Sequence, residues 1–260
     1  MEIPIYQVDA FTSRRFGGNP AAICPLRQWL DDATMQSIAA ENNLAETAYF
    51  VQRGEVFDLR WFTPTEEVDL CGHATLASAF VLFKHLGYNQ PAVRFETRSG
   101  ELTVKVGPHG FAMDFPSRPP EPCAPNAALV EALGVEPLEL LASRDYFVRL
   151  ADEAAVRAVT PDFAKLTKLD RKAVIVTAPG DDCDFVSRFF APALGVPEDP
   201  ATGSAHCTLI PYWSEKLDKK RLNARQVSAR GAEIFCEDNG ARVSIAGDAV
   251  LVLQGVFILN

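Results

Sequence analysis

The sequence is poor in the residue patterns that bind metal ions. Its 260 residues contain six cysteines and four histidines, and the cysteines are scattered without a C-x-x-C pair. Zinc sites typically place two of their ligands within such a short segment, so we expect no structural metal. The cysteines are instead expected to be free thiols in a reducing compartment.

Targeting and nucleic-acid-binding signals are also missing. Residues 1–5 lack the basic flank and apolar core of a secretory signal, and no apolar run approaches the roughly 20 residues of a membrane span. The chain has no basic stripe, and its 34 acidic residues outnumber its 25 basic ones, for a net charge of -9. We therefore expect a cytoplasmic protein that binds neither a membrane nor nucleic acid.

What the sequence does contain is one unusual pattern in two copies, at residues 67–74 and 198–205. In each copy a glutamate lies four positions before Cys71 or Thr202, and a glycine, a histidine or small polar residue and an alanine follow. A glycine where a strand meets a helix lets the first helical N–H groups point outward, and these groups attract anions together with the helix dipole. We therefore expect two halves that hold one anionic ligand in the cleft between them.

A long apolar segment follows each copy of this repeat. Residues 74–86 are apolar on nearly all sides and stop at Gly87, which predicts a helix that is buried on every face and ends in a glycine cap. Residues 205–213 follow a strand-like segment and predict a second such helix. The predicted fold is α+β, with two pseudo-symmetric halves that are each a curled mixed β-sheet or barrel around a central buried helix.

The proline-rich segment 116–122 is the most loop-like stretch and predicts the domain boundary. We expect an N-terminal half of residues 1–115 and a C-terminal half of residues 116–260. The C-terminal strand, predicted at residues 250–259, could complete the N-terminal half instead.

Three residues beside these patterns are candidates for acid–base chemistry. Glu46 opens an apolar strand, where a half-buried carboxyl group can take and return a proton; the alternative is a solvated acid at a strand edge. Asp199 could orient a ligand amine or hydroxyl group, or it could simply cap the following helix. His73, directly after Gly72, could be an acid, a base or a hydrogen-bond donor, or a satisfied residue of the junction.

Six motifs follow one another along the chain, at residues 9–12, 16–22, 43–47, 71–75, 189–192 and 198–206. Together they resemble the phenazine-biosynthesis isomerase (PhzF-like) family, nearly from end to end. That family is similar in fold to diaminopimelate epimerase. The resemblance implies an isomerase that moves a proton on a small carboxylate-bearing substrate by general acid–base catalysis, without cofactor or metal. A homodimer is a further expectation.

The resemblance also implies roles for individual residues. The family's catalytic glutamate, in its Asn-Leu-Ser/Ala-Glu-Thr motif, falls on Glu46. Its Gly-His pair falls on Gly72 and His73, and the aspartate of its Asp-Pro-x-Thr-Gly-Ser motif falls on Asp199. We therefore expect Glu46, His73 and Asp199 to be catalytic. The residues expected to bind substrate are Asn19, Gly72, Gly203 and Ser204.

One position departs from the epimerases of this fold, which use two cysteines as opposed bases. Cys71 occupies the first position but Thr202 the second, and a hydroxyl group is a far weaker acid than a thiol, which titrates at about 8.5. Cys71 is then either a buried small residue or an accessory base. A one-cysteine racemase or epimerase and a non-catalytic binding or interaction protein stay open as alternatives. Ser204, His206 and Asp199 lie too close on one helix start for a hydrolase triad.

Overall fold

The computed structural model describes residues 1–259, which divide into two compact units. Unit 1 contains Met1–Asp114 and the described residues from Ala246 onward, and unit 2 contains Phe115–Ile245. The last strand belongs to unit 1 because it pairs antiparallel with the first strand along its whole length. The prediction left this strand either with residues 116–260 or with the N-terminal half, and the strand lies in unit 1.

Both units are built mainly from strands. The elements of unit 1 are β1 (Glu2–Ala10), β2 (Asn19–Leu26), α1 (Asp32–Asn42), β3 (Glu46–Arg53), β4 (Val56–Phe62), β5 (Glu67–Val68), α2 (Gly72–His85), β6 (Ala92–Thr97), β7 (Gly100–Gly107), β8 (Gly110–Pro116) and, at the end of the chain, β18 (Ala249–Ile258). The elements of unit 2 are β9 (Glu121–Pro122), α3 (Ala127–Leu133), β10 (Glu139–Ala142), β11 (Tyr146–Arg149), α4 (Glu153–Ala158), α5 (Phe163–Leu166), β12 (Val174–Pro179), β13 (Phe185–Ala191), β14 (Val196–Asp199), α6 (Gly203–Leu217), β15 (Arg221–Gln226), β16 (Ala232–Asp238) and β17 (Arg242–Gly247).

The two units repeat one order of strand pairing. In unit 1, β2 is parallel to β3, β3 is antiparallel to β4, β4 is parallel to β6, and β6 is antiparallel to β7. In unit 2, β11, β12, β13, β15 and β16 repeat these four pairings in the same order. Parallel neighbours need a crossover, and α2 and α6 lie in the matching crossovers. The predicted α+β fold with two similar halves is confirmed.

Helix α2 is buried as its composition predicts, whereas α6 has half-buried residues at Ser204, Pro211 and Tyr212 and an exposed last turn. Every residue of α2 from His73 to Leu82 is buried, and the helix packs on β1, β2, β3, β7 and β18. It starts at Gly72, two residues before the predicted position, and Gly87 follows its C-terminal end with a φ of 70°. A positive φ suits glycine, so the predicted cap is confirmed. None of the helices in the described part of the chain has the length and apolar character that a membrane span needs.

In each unit, an arginine on the strand that precedes the sequence repeat clamps the glutamate of that repeat. Arg60 of β4 donates through Nε and Nη2 to the two carboxylate oxygens of Glu67, at 2.7 Å each. Arg188 of β13 holds Glu198 in the same way, at 2.8 and 2.9 Å. Bidentate pairs of this kind fix geometry as well as charge. The repeated glutamates therefore anchor the chain that leads into α2 and α6.

Candidate active site

Unit 1 brings Glu46, Cys71 and His73 into one cluster. Glu46 is the first residue of β3, Cys71 is the N-cap of α2, and His73 is the second residue of that helix. His73 Nε2 lies 3.1 Å from Glu46 Oε2, and His73 Nδ1 lies 3.5 Å from Cys71 Sγ. Only 16% of the Glu46 side chain and 6% of the His73 side chain are exposed. Two residues predicted to be catalytic therefore meet, and Cys71 borders them.

Asn19 holds the far side of the His73 ring. It starts β2, is fully buried, and places its amide Nδ2 at 3.1 Å from His73 Nδ1. An amide nitrogen only donates, so Nδ1 of a neutral ring accepts, and the ring hydrogen lies on Nε2. An imidazolium also carries a hydrogen on Nε2. In both protonation states, His73 therefore presents an N–H group on the side of Glu46.

The local charges act on the protonation of this cluster. Burial lowers the pKa of His73, and the negative charge of Glu46 raises it. Burial, with a smaller effect of Glu46, raises the pKa of Cys71 to about 11. Cys71 is therefore a neutral thiol near neutral pH. Glu46 is then the charge that favours a protonated His73.

The facing atoms of Glu46 and His73 have no hydrogen-bond partner within residues 1–259. Glu46 Oε2 and His73 Nε2 are both buried, and their 3.1 Å approach lacks the alignment of a hydrogen bond. Buried polar atoms in proteins are nearly always satisfied, so two such atoms side by side need an explanation. A ligand that supplies the missing partners is one.

In unit 2, a buried glutamine organises the turn before α6. Gln226, at the end of β15, accepts a hydrogen bond from the Thr202 N–H group at 2.8 Å. Its Nε2 donates to the Asp199 carbonyl at 2.6 Å and to Thr202 Oγ1 at 3.1 Å. Thr202 Oγ1 in turn donates to Asp199 Oδ2. The Thr202 hydroxyl group is therefore occupied by Asp199. Sequence reasoning missed Gln226, which nothing in its own segment marks.

In the first turn of α6, Ser204 and His206 have different hydrogen-bond partners and do not contact each other through their polar atoms. Arg144, two residues before the start of β11, donates from Nη2 to Ser204 Oγ at 3.1 Å and to Asp145 Oδ2 at 3.0 Å. His206 is fully buried, and its Nδ1 donates to the Thr202 carbonyl at 2.8 Å. Burial lowers the pKa of His206 to about 4, so the ring is neutral near neutral pH. These contacts do not form a Ser-His-Asp triad.

The strand register shows which residues of the two units correspond. The residue after Glu46 pairs with Phe62, and the residue after Ala173 pairs with Phe190. Each phenylalanine follows the clamping arginine by two positions and lies under its guanidinium group, whose carbon is 5.2 and 4.8 Å from the ring centroid. Ala173 is therefore the counterpart of Glu46, and unit 2 has no carboxylate at this described position.

The helix starts correspond in the same way. The residue after the junction glycine is His73 in unit 1 and Ser204 in unit 2. The residue after the clamped glutamate is Val68 in unit 1 and Asp199 in unit 2. The carboxylate–imidazole pair around Glu46 is thus a property of unit 1. Unit 2 keeps the helix start but surrounds it with other polar groups.

Comparison with known proteins shows the family of this chain. A family model described as phenazine biosynthesis-like protein matches residues 8–255. The chain belongs to this family. A Pseudomonas aeruginosa relative that is named an uncharacterized isomerase is 52% identical over 259 residues, which cover 100% of both chains. The crystal structure of a phenazine biosynthesis protein of the PhzF family from Enterococcus faecalis has a TM-score of 0.98 and 48% identity, over 100% of both chains.

A wider structural likeness concerns the fold alone. The crystal structure of a hydroxyproline epimerase from Agrobacterium vitis has a TM-score of 0.60 at 9% identity, over 98% of this chain and 92% of that one. The phenazine biosynthesis-like family therefore shares its fold with an epimerase, as the sequence resemblance implied.

Proposed function

We propose that this protein is a cofactor-independent isomerase that moves a proton on a small carboxylate-bearing substrate, with Glu46 as the general base. The observation that carries the proposal is the buried approach of Glu46 Oε2 to His73 Nε2, in which neither atom has a hydrogen-bond partner within the described residues. Membership in a family with relatives named as isomerases supports it.

In this mechanism Glu46 takes a proton from a carbon atom of the substrate and returns it to another. The Nε2–H group of His73 lies beside the carboxylate, where it can donate to the substrate oxygen on which negative charge develops. Asn19 acts through His73, because its amide holds the ring from the Nδ1 side. A positioned acid–base group of this kind typically contributes about 10²–10⁴-fold to a rate.

The same carboxyl group has to return the proton, because the counterparts of Glu46 and Cys71 offer no second base. Ala173 stands where a second carboxylate would be, and the Thr202 hydroxyl group donates to Asp199. We propose that Asp199, with its carboxylate fixed in this way, orients a polar group of the substrate. Transfer by one base favours an isomerase over a two-base epimerase.

We further propose that a substrate carboxylate binds at the start of α6. The backbone N–H groups of Gly203 and Ser204 lie in its first turn, where a helix attracts anions. The Arg144 guanidinium group, which donates to Ser204 Oγ, adds a positive charge there. Gly72 and His73 offer similar N–H groups in unit 1. Such local donors would let a chain with a net charge of -9 bind an acid.

The proposal is tested by proton exchange, since the test does not require the product to be known. The protein is incubated in heavy water with a panel of small carboxylic acids, and deuterium uptake into each acid is followed by NMR and mass spectrometry. We expect uptake into at least one acid of the panel. Saturable binding of an acid that never takes up deuterium would favour the non-catalytic binding protein.

Replacing Cys71 by alanine is expected to lower the exchange rate by no more than a few-fold. Its thiol is buried, and a pKa of about 11 keeps it protonated near neutral pH, so its contribution is packing beside His73. The measurement is the deuterium exchange rate of Cys71→Ala beside that of the wild type. Complete loss of exchange in a well-folded variant, with stoichiometric labelling of Cys71 by an epoxide or aziridine analogue, would favour the one-cysteine epimerase.

The two buried histidines are expected to carry their ring hydrogens on opposite nitrogens. His73 should have a hydrogen on Nε2, and His206 should have one on Nδ1 and none on Nε2, because Nδ1 donates to the Thr202 carbonyl. Long-range ¹H–¹⁵N correlation spectra measure this directly, and the chain has only four histidines. The variants His85→Gln and His109→Gln assign the other two rings. A His73 ring without hydrogen on Nε2 at neutral pH would refute the proposed donor.

A further inference from the structure

The cluster around His73 has the donor atoms of a transition-metal site. Glu46, Cys71 and His73 each offer one ligand atom, and these atoms all lie within 4.8 Å of one another. Within residues 1–259, no other set of three histidine, cysteine or acidic side chains brings its donors this close. Carboxylate oxygen, thiolate sulfur and imidazole nitrogen are the donors that Zn²⁺ takes in proteins. Sequence spacing did not predict this group, because Glu46 comes from a different element.

The separation of the two buried donors fits a shared ion. A tetrahedral Zn²⁺ with bonds of about 2.3 Å to sulfur and about 2.05 Å to nitrogen holds these ligands roughly 3.6 Å apart. Cys71 Sγ and His73 Nδ1 are 3.5 Å apart. The backbone fixes both residues, since Cys71 is the N-cap of α2 and His73 lies in its first turn. Two of the three ligand atoms therefore already have the separation that binding to one Zn²⁺ ion would require.

The third ligand and the route of entry come from Glu46. Its side chain has three rotatable bonds and keeps 16% of its surface exposed, more than either of its two neighbours in the cluster. Its Oε2 now lies 3.1 Å from the other ring nitrogen, Nε2, so Glu46 reaches an ion on the Nδ1 side by turning about these bonds while Cys71 and His73 stay in place. The Asn19 amide, which now donates to His73 Nδ1, would be displaced from that nitrogen. A water molecule or a substrate oxygen would complete four-coordination.

We propose that Glu46, Cys71 and His73 form an inhibitory site for Zn²⁺ or another thiophilic divalent cation. Binding exchanges the thiol hydrogen of Cys71 for the metal ion and releases one proton to solvent. The ion then engages the carboxylate of Glu46 and the ring of His73, so neither group can move a proton. The binding stands on the donor geometry alone, and only the inhibition rests on the proposed isomerase function. Cys71, which takes no part in the proposed proton transfer, would thus act as a metal ligand.

Metal binding is tested on chelator-treated protein without any substrate. We expect isothermal titration calorimetry to give one Zn²⁺ per chain. We also expect titration with Co²⁺ to give the absorption of a thiolate-to-metal charge transfer. Cys71→Ala should lose this absorption, and so should Cys71→Ser, which keeps the size of the side chain. Cys183→Ala is the matched control, because Cys183 is a half-buried free thiol outside the cluster and its removal should change nothing.

The outcomes separate this proposal from the proposed function. Charge-transfer absorption that persists in both Cys71 variants, or wild-type protein without saturable Zn²⁺ binding, would overturn the site. Stoichiometric binding that leaves deuterium exchange unchanged would overturn the inhibition. If no carboxylic acid takes up deuterium but the Cys71-dependent absorption is present, the isomerase proposal fails while the metal site is supported. Inhibition of deuterium exchange by Zn²⁺ in the wild type and in Cys183→Ala, reversed by a chelator, would support both the isomerase proposal and the inhibitory metal site.

Discussion

Replacing Glu46 by glutamine is expected to lower the rate of deuterium exchange by about 10²–10⁴-fold, with the fold and ligand affinity retained. Glutamine keeps the shape of the side chain and can still form hydrogen bonds beside His73, but it cannot take a proton from carbon. The loss should therefore appear in the rate at saturating substrate rather than in the concentration that half-saturates the enzyme. The measurement is deuterium uptake by the substrate that the panel identifies.

Glu41→Gln is the matched control for this prediction. Glu41 is an exposed acid in the last turn of α1, so its removal changes the net charge equally without touching the cluster. It should exchange deuterium at the wild-type rate. Circular dichroism and thermal unfolding establish that both variants are folded. Wild-type exchange by a folded Glu46→Gln protein would remove Glu46 from the mechanism, and with it the basis of the proposed function.

The sequence predicted the buried helices well because their signal is local. A segment that is apolar on all sides has to be buried along its whole length, and a glycine beyond it supplies the positive φ of a cap. These features predicted the core of α2 and its end at Gly87. The start was placed two residues late, since Gly72 and His73 look like junction residues although they already have helical geometry.

The contacts of the candidate site depend on register between distant segments, which a single sequence does not display. Glu46 and His73 were proposed together from the family resemblance, and their 3.1 Å approach follows from the packing of α2 on β3. Asn19 is predicted to bind substrate, and its amide contacts His73. Gln226 and Arg144 were missed, because a lone polar residue at a strand end has no distinctive spacing.

The two units share the parts of the repeat that belong to the fold and differ at the positions of the proposed acid–base pair. Both units contain the arginine clamp, the junction glycine and the helix start, which are structural parts of the repeated fold. They differ at the positions that face the junction, where unit 1 has Glu46 and His73 and unit 2 has Ala173 and Ser204. We infer that the repeat preserved the anion-attracting helix start in both units and the proton-transferring pair in one.

The free energy of unfolding is expected to fall by about 2 kcal/mol between about pH 7 and about pH 4.5 because of His206. Burial keeps the pKa of this ring at about 4 in the folded chain, against about 6.5 in an unfolded chain. Between these two values the unfolded chain binds a proton that the folded chain does not, so stability is lost as the pH falls. The slope is about 1.4 kcal/mol per pH unit for one such group. Urea unfolding from about pH 7 down to about pH 4.5 measures it.

His206→Gln isolates this effect from the carboxylates that also titrate in acid. Glutamine retains a donor for the Thr202 carbonyl but has no titrating group, so the variant should lose less stability than the wild type over the same pH range. Both proteins contain the same carboxylates, so the contribution of these groups cancels when the two losses of stability are subtracted. This holds even if the variant is less stable at every pH. Equal slopes in wild type and His206→Gln would show that the pKa of His206 is the same in the folded and unfolded chains, and burial would then not keep the ring neutral in mild acid.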